Sequence, residues 1–419
     1  MNPNRLAQFW RYTTKVFDLP QLLAGVRANR PQAEIPTRVL TSTLVSAAVL
    51  RIDSLLDLQT KSESPGWQKI HGWSRRISDD ALAYGLERFY AEDLRQVQAR
   101  IMKCLKTNKQ LEECRINGLL FVALDANEQF NSRSRCCDQC SQREITIKNA
   151  AGEEEKVTEF YHRQVYARLC SPKGALLLDV EPMVPGEEEC QAALRLLGRM
   201  RRIYGPRFFD AVTVDAWYTQ GPWIRAVQKL GWGVVCVLKR VTLEIYKETD
   251  ALLPAQPTEA WKENGRTIEL REVTDLNFTT VHGPVRVVVS DEAWKETHQI
   301  GGKYVVKELR SQWRWIATEE LAGYGARVVH TSGHGRWGIE NQAFNVLTKY
   351  YHLTHCAHHH PEAILARLLF LILGYVLFDA FVRLHGKLLR LERWTLKEMV
   401  DRLRGGLERP EELIPLWSG

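Results

Sequence analysis

Between Asn117 and Arg240 the chain alternates strongly apolar runs with amphipathic helical segments. Three candidate strands come first, then a helix, a strand, a helix and a last strand. In order, the seven segments are GLLFVALDANEQF, YHRQVYARLC, GALLLDVEPMV, CQAALRLLGRMRRIYG, FFDAVTVDAWYTQ, GPWIRAVQKLG and WGVVCVLKR. Apolar runs of this kind are typical of strands buried on both faces, and the helices between them must cover the sheet. The order predicts an α/β fold.

Residues 1–112 have the apolar periodicity of helices throughout, and no strand pattern is found among them. TRVLTSTLVSAAVLRIDSLLDLQ is predicted to be one helix, and SDDALAYGLERFYAEDLRQVQARIMKCLK a second, with Ser78 as its N-cap. We interpret this stretch as an all-helical N-terminal domain that binds DNA. The pattern suits a dimerisation or packing domain equally well.

After the α/β region, which we delimit as residues 113–240, the periodicity falls to two between residues 241 and 321. GRTIELREV, NFTTVHGPVRVVVSDEAW and YVVKELRSQWRWIAT read as antiparallel strands separated by Gly and Pro turns. This block is predicted to be a β-rich insertion. Helical patterns resume in residues 322–419, which we interpret as the second part of the core and C-terminal helices.

Composition and charge narrow the classes of protein without selecting one. Lys plus Arg exceed Asp plus Glu by 57 to 50, and this net charge of +7 permits a polyanionic partner. The chain does not open on a secretory pattern, and its nine cysteines suit a reducing compartment, so we expect a cytoplasmic protein. The apolar run from Ala363 to Val382 contains Arg367 and Asp379, which favours a core helix over a membrane span.

Three carboxylates stand in positions that favour a metal site. Asp125 and Asp215 each end an apolar strand, where ligands collect in open α/β sheets. Glu340 lies on the same predicted helical face as Phe344 and Leu347. A carboxylate is unusual on a face that is otherwise apolar. Either aspartate alone is most simply a turn residue, and Glu340 could merely pair with a neighbouring arginine. Three convergent carboxylates, however, are what a pair of Mg²⁺ ions requires.

The motifs VALDANEQF, VTVDAWY and RWGIENQAF, in this order and with a β-rich block before the third, resemble the DDE transposases of bacterial insertion sequences. The resemblance covers roughly residues 30–385. It implies an RNase-H-like, retroviral-integrase-like mixed sheet flanked by helices, with an all-helical N-terminal domain and a β-rich insertion before the catalytic Glu. It further implies double-stranded DNA partners, both transposon ends and target DNA, and a homodimer on DNA.

The resemblance also implies roles for individual residues. Asp125, Asp215 and Glu340 would hold two Mg²⁺ or Mn²⁺ ions for phosphodiester hydrolysis and transesterification. One subgroup carries the signature Tyr, two residues, Arg, three residues, Glu, six residues, Lys, and Arg336 and Glu340 fit it. Gly333 stands where the Tyr is expected.

Three residues around the predicted catalytic Glu would contact DNA, namely Arg336, Trp337 and Lys349. Arg336 would hold a phosphate or order the carboxylates. Lys349 lies two residues beyond the signature position, which leaves its role less defined than that of Arg336.

The segment RCCDQC contains a second candidate metal site. Cys137 and Cys140 have the C-x2-C spacing that places two thiolates on one tetrahedral ion. From the resemblance, His162 and Cys190 complete one structural Zn²⁺ site. Alternatively, the cysteines belong to an ordinary loop and the other two residues to the core. Two other cysteines could substitute as ligands, Cys136 and Cys170.

Histidines and tryptophans supply further candidates. The five histidines between His352 and His360 match no known metal spacing, so we interpret them as helix-capping or DNA-proximal residues. In related enzymes an aromatic side chain receives a base turned out of the duplex. The sequence does not choose among the candidates Trp217, Trp261, Trp294, Trp313 and Trp315.

Two other functions fit the same residues. An RNase-H-like nuclease that cuts without joining strands would use the same carboxylates. A domesticated DNA-binding protein would need none of them, and their presence counts against it. The β-rich insertion and the helical N-terminal module favour a transposase, because cut DNA ends must be held by a larger surface.

Overall fold

A computed structural model describes residues 3–149, 152–170, 176–300, 302–385 and 394–417. Within these residues the protein is a mixed α/β structure with one large sheet and many helices. The helices are α1 (Arg5–Phe17), α2 (Leu19–Ala24), α3 (Thr37–Val49), α4 (Leu55–Ser62), α5 (Pro65–His71), α6 (Asp79–Arg88), α7 (Ala91–Thr107), α8 (Glu189–Tyr204), α9 (Gly221–Lys229), α10 (Glu244–Leu252), α11 (Ala326–Gly335), α12 (Asn345–Tyr351), α13 (Pro361–His385) and α14 (Leu396–Arg404).

All the strands of the described residues belong to that one sheet. The strands are β1 (Phe121–Ser132), β2 (Ser141–Lys148), β3 (Glu154–Leu169), β4 (Leu177–Pro182), β5 (Ala211–Val214), β6 (Gly233–Val237), β7 (Glu259–Glu263), β8 (Arg266–Leu276), β9 (Val285–Ile300) and β10 (Lys303–Ala317). Their order is β2-β3-β1-β5-β6-β10-β9-β8-β7, with β4 paired to β3.

The predicted alternation of strands and helices between residues 113 and 240 is present, with an additional strand, β2, that the sequence analysis did not predict. β1, β3 and β4 are antiparallel neighbours, whereas β5 pairs parallel to β1, and β6 parallel to β5. β5 and β6 are two of the strands that the sequence predicted from apolar runs, and every residue in them is buried. Parallel neighbours need a crossover between them, and α8 and α9 lie in the connections before β5 and before β6.

The strands of the predicted insertion do not form a sheet of their own. β10 pairs antiparallel with β6, so β10, β9, β8 and β7 extend the main sheet from its β6 side. The stretch also opens with helix α10 before any strand. Period-two patterning revealed the strands, but it carries no information about which edge they join.

Two helices predicted as continuous are each broken in two. α3 and α4 are separated at Arg51, whose φ of 56° lies in the left-handed region. α6 and α7 are separated at Phe89, where the backbone is extended. There the N–H of Asn29 donates to the carbonyl of Arg88, and that of Tyr90 to Arg27. A distant backbone segment thus replaces the helical hydrogen bonds. Ser78 caps α6 as predicted, since its Oγ accepts the N–H of Ala81 at 3.2 Å.

Helix α13 is the core helix that the sequence predicted. Pro361–Arg383 is long and apolar enough to cross a membrane, yet 83% of its apolar window is buried inside the protein. It packs against α3, α6 and α7 and against β4. It therefore joins the N-terminal helices to the sheet and holds the segment that precedes it, residues 352–360, close to the strands.

Candidate active site and metal centre

Asp125 and Asp215 lie at the same level of two neighbouring parallel strands. The register of β1 and β5 pairs Ala123 with Thr213, and each aspartate follows two residues later. Because residues two apart in a strand share a face, both carboxylates lie on one side of the sheet at its carboxyl end. Asp215 begins a short 3₁₀ helix, and its Oδ1 accepts the N–H of Trp217 at 2.8 Å.

Glu340 belongs to a π-helical segment, Ile339–Phe344, between α11 and α12. The sequence predicted an α-helix here. Such wide turns are rare and occur often at functional sites, because they shift side chains out of α-helical register. Phe344 remains buried, while the side chain of Glu340 is 43% exposed. The register shift separates the carboxylate from the apolar face that it shared in the sequence pattern.

Two glycines bring this segment close to the sheet. A Cβ on Gly333 would lie 2.3 Å from the indole nitrogen of Trp315. A Cβ on Gly338 would lie 2.5 Å from the guanidinium of Arg168. Neither position has room for a side chain. This accounts for Gly333, where the transposase signature has Tyr, since Trp315 occupies the space.

Arg336 joins two of the three carboxylates. Its Nη1 donates to Asp125 Oδ2 at 3.2 Å and to Glu340 Oε1 at 3.0 Å. The arginine side chain is buried, so its contact with the largely buried Asp125 is shielded from water and stronger than a surface pair. The interpretation of Arg336 as a mere surface partner of Glu340 therefore fails. The guanidinium positions the carboxylates of Glu340 and Asp125. Asp125 lies inside β1, which continues to Ser132, and not at the end of the strand as the sequence predicted.

The carboxylates form an acidic cluster around Asp125. The pKa of Asp125 is raised to about 7, first by burial and then by the negative charges of Glu340, Glu189 and Asp215, against the lowering effect of Arg336. Among the described residues, however, no set of three that includes Asp125 has all its donor atoms within 4.8 Å of one another. The carboxylates therefore lie in the same region, but their oxygen atoms are too far apart to hold one ion without moving.

Glu189 is an acidic residue of this site that the sequence analysis did not single out. It begins α8, and its carboxylate accepts from Tyr218 Oη at 2.6 Å and from Arg163 Nη2 at 2.6 Å. Tyr218 ends the 3₁₀ helix that Asp215 begins. The only signal in the sequence was the acidic run GEEEC before a helix, which is more commonly a helix-capping pattern.

The raised pKa of Asp125 predicts a pH-dependent stability. The folded protein holds this proton more tightly than the unfolded chain, so the contribution of Asp125 to the free energy of unfolding falls as pH rises from about 4 to about 7. In buffer free of Mg²⁺, Asp125→Asn should therefore be more stable than the wild type by about 2–4 kcal/mol near pH 8, and equal to it near pH 4. Thermal melts at both pH values measure this. A variant less stable than the wild type near pH 8 would contradict it.

The bridging position of Arg336 predicts a loss of activity without a loss of fold. Arg336→Ala should lower DNA cleavage by about 10- to 1,000-fold, equivalent to about 1.5–4 kcal/mol for a charge-assisted contact at a reacting phosphate. Arg336→Lys should recover only part, because an ammonium keeps the charge but lacks the planar fork whose other N–H groups are left for a phosphate.

The control for Arg336 is Arg327→Ala, because Arg327 lies on α11 and pairs with Glu259 at the surface. Cleavage time courses and thermal melts on all three variants are the measurement. Unchanged cleavage in Arg336→Ala would make the arginine a bystander.

The other residues predicted to contact DNA differ in their exposure. Trp337 is 37% exposed and lies against Arg336 and, edge to face, Trp313. Lys349 is exposed on α12, where its ammonium lies over the ring of Tyr350. Trp217 is 51% exposed directly after Asp215. Five tryptophans were considered as stacking partners for a flipped base. Trp217 meets two requirements for this role, because its ring is exposed and it lies beside the predicted catalytic residue Asp215.

Cys137, Cys140 and His162 meet in space as the sequence predicted. Cys137 and Cys140 lie in the turn between β1 and β2, and His162 lies on β3. The fourth member of the group is His359, from the segment that precedes α13. His359 Nε2 lies 3.3 Å from Cys140 Sγ, although the two residues are 219 positions apart.

The donor atoms of this group have the spacing of a tetrahedral zinc site. The two sulfurs are 3.7 Å apart, and His162 Nε2 lies 3.4 Å from Cys137 Sγ and 3.2 Å from Cys140 Sγ. Usual Zn–S and Zn–N lengths place such atoms roughly 3.4–3.8 Å apart around one ion. Burial lowers the pKa of His162 to about 4 and also lowers that of His359, so both imidazoles are neutral at pH 7, as metal ligands must be.

Cys190, predicted as the fourth ligand, is not part of this group. It lies at the start of α8, where its thiol contacts Gln220 and its backbone carbonyl accepts from Trp223. Burial and the nearby carboxylates of Glu189, Glu188 and Asp215 raise its pKa to about 12. The correction follows from the path of α8, whose first turn faces the carboxylate cluster.

The alternative cysteines are also outside the group. Cys136 is exposed, and Cys170 is buried with a pKa raised to about 12, first by burial. The histidines before α13 were interpreted as capping or DNA-proximal residues, and for His359 the geometry contradicts this. No local spacing could have identified it, because the remaining ligands lie about two hundred residues earlier.

Comparisons with known proteins add little to these observations. No protein-family model matches the chain, and no curated protein matches it. Among solved structures, the chain is similar to one described as a cryo-EM structure of the piggyBac transposase synaptic complex with hairpin DNA. The TM-score is 0.39 and the identity 11%, over 98% of this chain and 80% of the other. At these values the similarity supports no inference about this chain.

Proposed function

We propose that the protein is a DDE-type transposase that cuts and joins DNA at the ends of an insertion sequence. The observation that carries the proposal is the arrangement of its three carboxylates. Asp125 and Asp215 occupy equivalent positions on adjacent parallel strands, and Arg336 links Asp125 to Glu340. Three carboxylates gathered in one region, two of them held by a buried guanidinium, supply the oxygen ligands that Mg²⁺ prefers.

The strand order supports an RNase-H-like core. Three antiparallel strands, β4, β3 and β1, are followed across the sheet by β5 and β6, which run parallel to β1. This is the arrangement expected for the retroviral-integrase-like fold that the sequence resemblance implies. The chain enters the sheet after an all-helical stretch, and β7–β10 intervene before Glu340.

In this proposal Asp125, Asp215 and Glu340 hold Mg²⁺ or Mn²⁺. Bound ions would supply activation of the attacking hydroxyl and charge stabilisation for the departing oxygen. Asp125 would be the central ligand of the set, because the charges of both Glu340 and Asp215 act on it. Arg336 orders Asp125 and Glu340 and offers its remaining donors to a phosphate. Trp337 and Lys349 extend the contact to DNA.

Cys137, Cys140, His162 and His359 would hold a structural Zn²⁺ that stabilises the elements around this site. It would tie the β1–β2 turn and β3 to the segment between α12 and α13. That segment follows Glu340 by one helix. We further propose a cytoplasmic protein that binds double-stranded DNA as a homodimer, with transposon ends and target DNA as its partners.

A cleavage and joining assay tests the proposal. Linear DNA carrying the genomic segments that flank the gene is incubated with protein, Mg²⁺ and a supercoiled plasmid, and the products are sequenced. A transposase yields cuts at defined flanking positions and covalent insertion of the cut ends into the plasmid. Cuts without insertion would indicate a nuclease instead, and binding without cuts would indicate a non-catalytic DNA-binding protein.

A further inference from the structure

A second group of metal-binding side chains lies between the extended sheet and α11. Glu292 of β9 is buried, and it meets His330 and His334, which are one turn apart on α11. Glu292 Oε1 lies 2.6 Å from His334 Nε2 and 3.3 Å from His330 Nε2. The donor atoms of all three residues are within 4.8 Å of one another. None of these residues belongs to the carboxylate cluster or to the Cys/His group.

Hydrogen bonding alone explains this geometry poorly. Glu292 Oε1 faces both imidazole nitrogens and, at 3.3 Å, the hydroxyl of Ser290. One carboxylate oxygen has two lone pairs and cannot accept well from three donors. Two of the three contacts are also long for good hydrogen bonds. The 3.3 Å between Glu292 Oε1 and His330 Nε2 is the separation of two ligand atoms on one ion, whereas the 2.6 Å contact with His334 Nε2 is a hydrogen bond that would have to lengthen as an ion binds.

The surroundings of the group suit a metal ligand set. The other oxygen of Glu292 accepts from Arg266 Nη1 at 2.9 Å, which would orient a carboxylate bound to metal through Oε1. The Arg266 guanidinium also places a positive charge beside this buried carboxylate.

Aromatic rings enclose the two histidines. Trp315 contacts both imidazoles edge to face, Trp261 contacts His330 and Trp313 contacts His334. These walls limit water on the protein side, whereas the side chain of His334 is 30% exposed. Two ligands on one helix and one on a sheet strand are held by rigid elements. The exposed side leaves a coordination position for solvent.

We propose that Glu292, His330 and His334 bind a divalent transition-metal ion of the zinc class. Two imidazole nitrogens and one carboxylate oxygen select such ions over Mg²⁺ and Ca²⁺, which prefer oxygen ligands alone. An ion there would cross-link β9 to α11 two residues before Arg336. It would thus fix the end of the helix that leads to the candidate active site.

Equilibrium dialysis against Zn²⁺ in excess Mg²⁺ tests the site, because Mg²⁺ occupies the oxygen-only ligands. Wild type should bind about two zinc ions per chain, one in each His-containing group. His334→Ala should bind about one, with the lost ion held more than about 100-fold more weakly, a loss larger than that from a supporting residue. The control is His298→Ala, since His298 lies on the same strand β9 outside the group and should leave binding unchanged.

Glu292→Gln provides a second variant in case His334→Ala does not fold, with a thermal melt to show which is folded. It should lose the same ion. Co²⁺ in place of Zn²⁺ identifies the ligands, because a site without thiolates adds only weak visible absorption. Equal zinc binding by wild type and either folded variant would overturn the proposal and leave a hydrogen-bonded cluster only. The readout needs no DNA, so it is independent of the proposed transposase activity.

Discussion

Asp125→Asn is expected to lower DNA strand cleavage by about 1,000-fold or more, with the same result for Asp215→Asn and Glu340→Gln. Each change removes one negative charge from the group that would hold the ions, while the size of the side chain is kept. The fold should be retained in Asp125→Asn, because the introduced amide oxygen can still accept the hydrogen bond that Arg336 donates to Asp125 Oδ2.

DNA binding should persist in these variants, since affinity for DNA depends mainly on phosphate contacts spread over a larger surface. The matched control is Asp275→Asn, the same chemical change at an exposed residue of β8. Cleavage rates in Mg²⁺ and DNA binding at a fixed salt concentration are the measurements. If one of the three variants cleaved at nearly the wild-type rate, that residue would not be a metal ligand, and the three-carboxylate assignment would be wrong.

Cys140→Ser is expected to lose zinc and much of the protein's stability. Cys140 contacts all three other members of the group, Cys137, His162 and His359. Structural zinc contributes an apparent binding free energy on the order of 10 kcal/mol in small zinc domains, and the loss is coupled to folding. Burial raises the pKa of the Cys140 thiol to about 11, so without a metal this cysteine is a neutral thiol at pH 7.

Cys190→Ser is the matched control. It distinguishes the ligand set predicted from the sequence, which contains Cys190, from the set in the structure, which contains His359 instead. Cys190 lies beside Gln220 and outside the Cys/His group, so its replacement should leave zinc content and melting temperature nearly unchanged. His359→Ala should behave like Cys140→Ser. Elemental analysis and thermal melts of the three variants decide between the sets. Zinc lost in Cys190→Ser but kept in His359→Ala would restore the ligand set predicted from the sequence.

The sequence predicted well where the governing interactions are local. Apolar runs identified β5, β6 and the first four residues of β1, because strand segments buried on both faces are mostly apolar. Ser78 was identified as a cap because capping depends on a few neighbouring residues. The breaks at Arg51 and Phe89 were missed, since each depends on a left-handed or extended backbone that distant segments stabilise.

For the candidate site, the sequence by itself determined the chemical types and their strand positions. Each aspartate follows an apolar run that forms a buried strand, although β1 continues beyond Asp125, and a C-x2-C turn presents two thiols together. Only the tertiary structure decided which distant residues complete these sites. Arg336 reaches Asp125 across 211 residues, and His359 reaches Cys140 across 219. Residue patterns encode local geometry and burial, whereas such contacts depend on how α11 and α13 pack against the sheet.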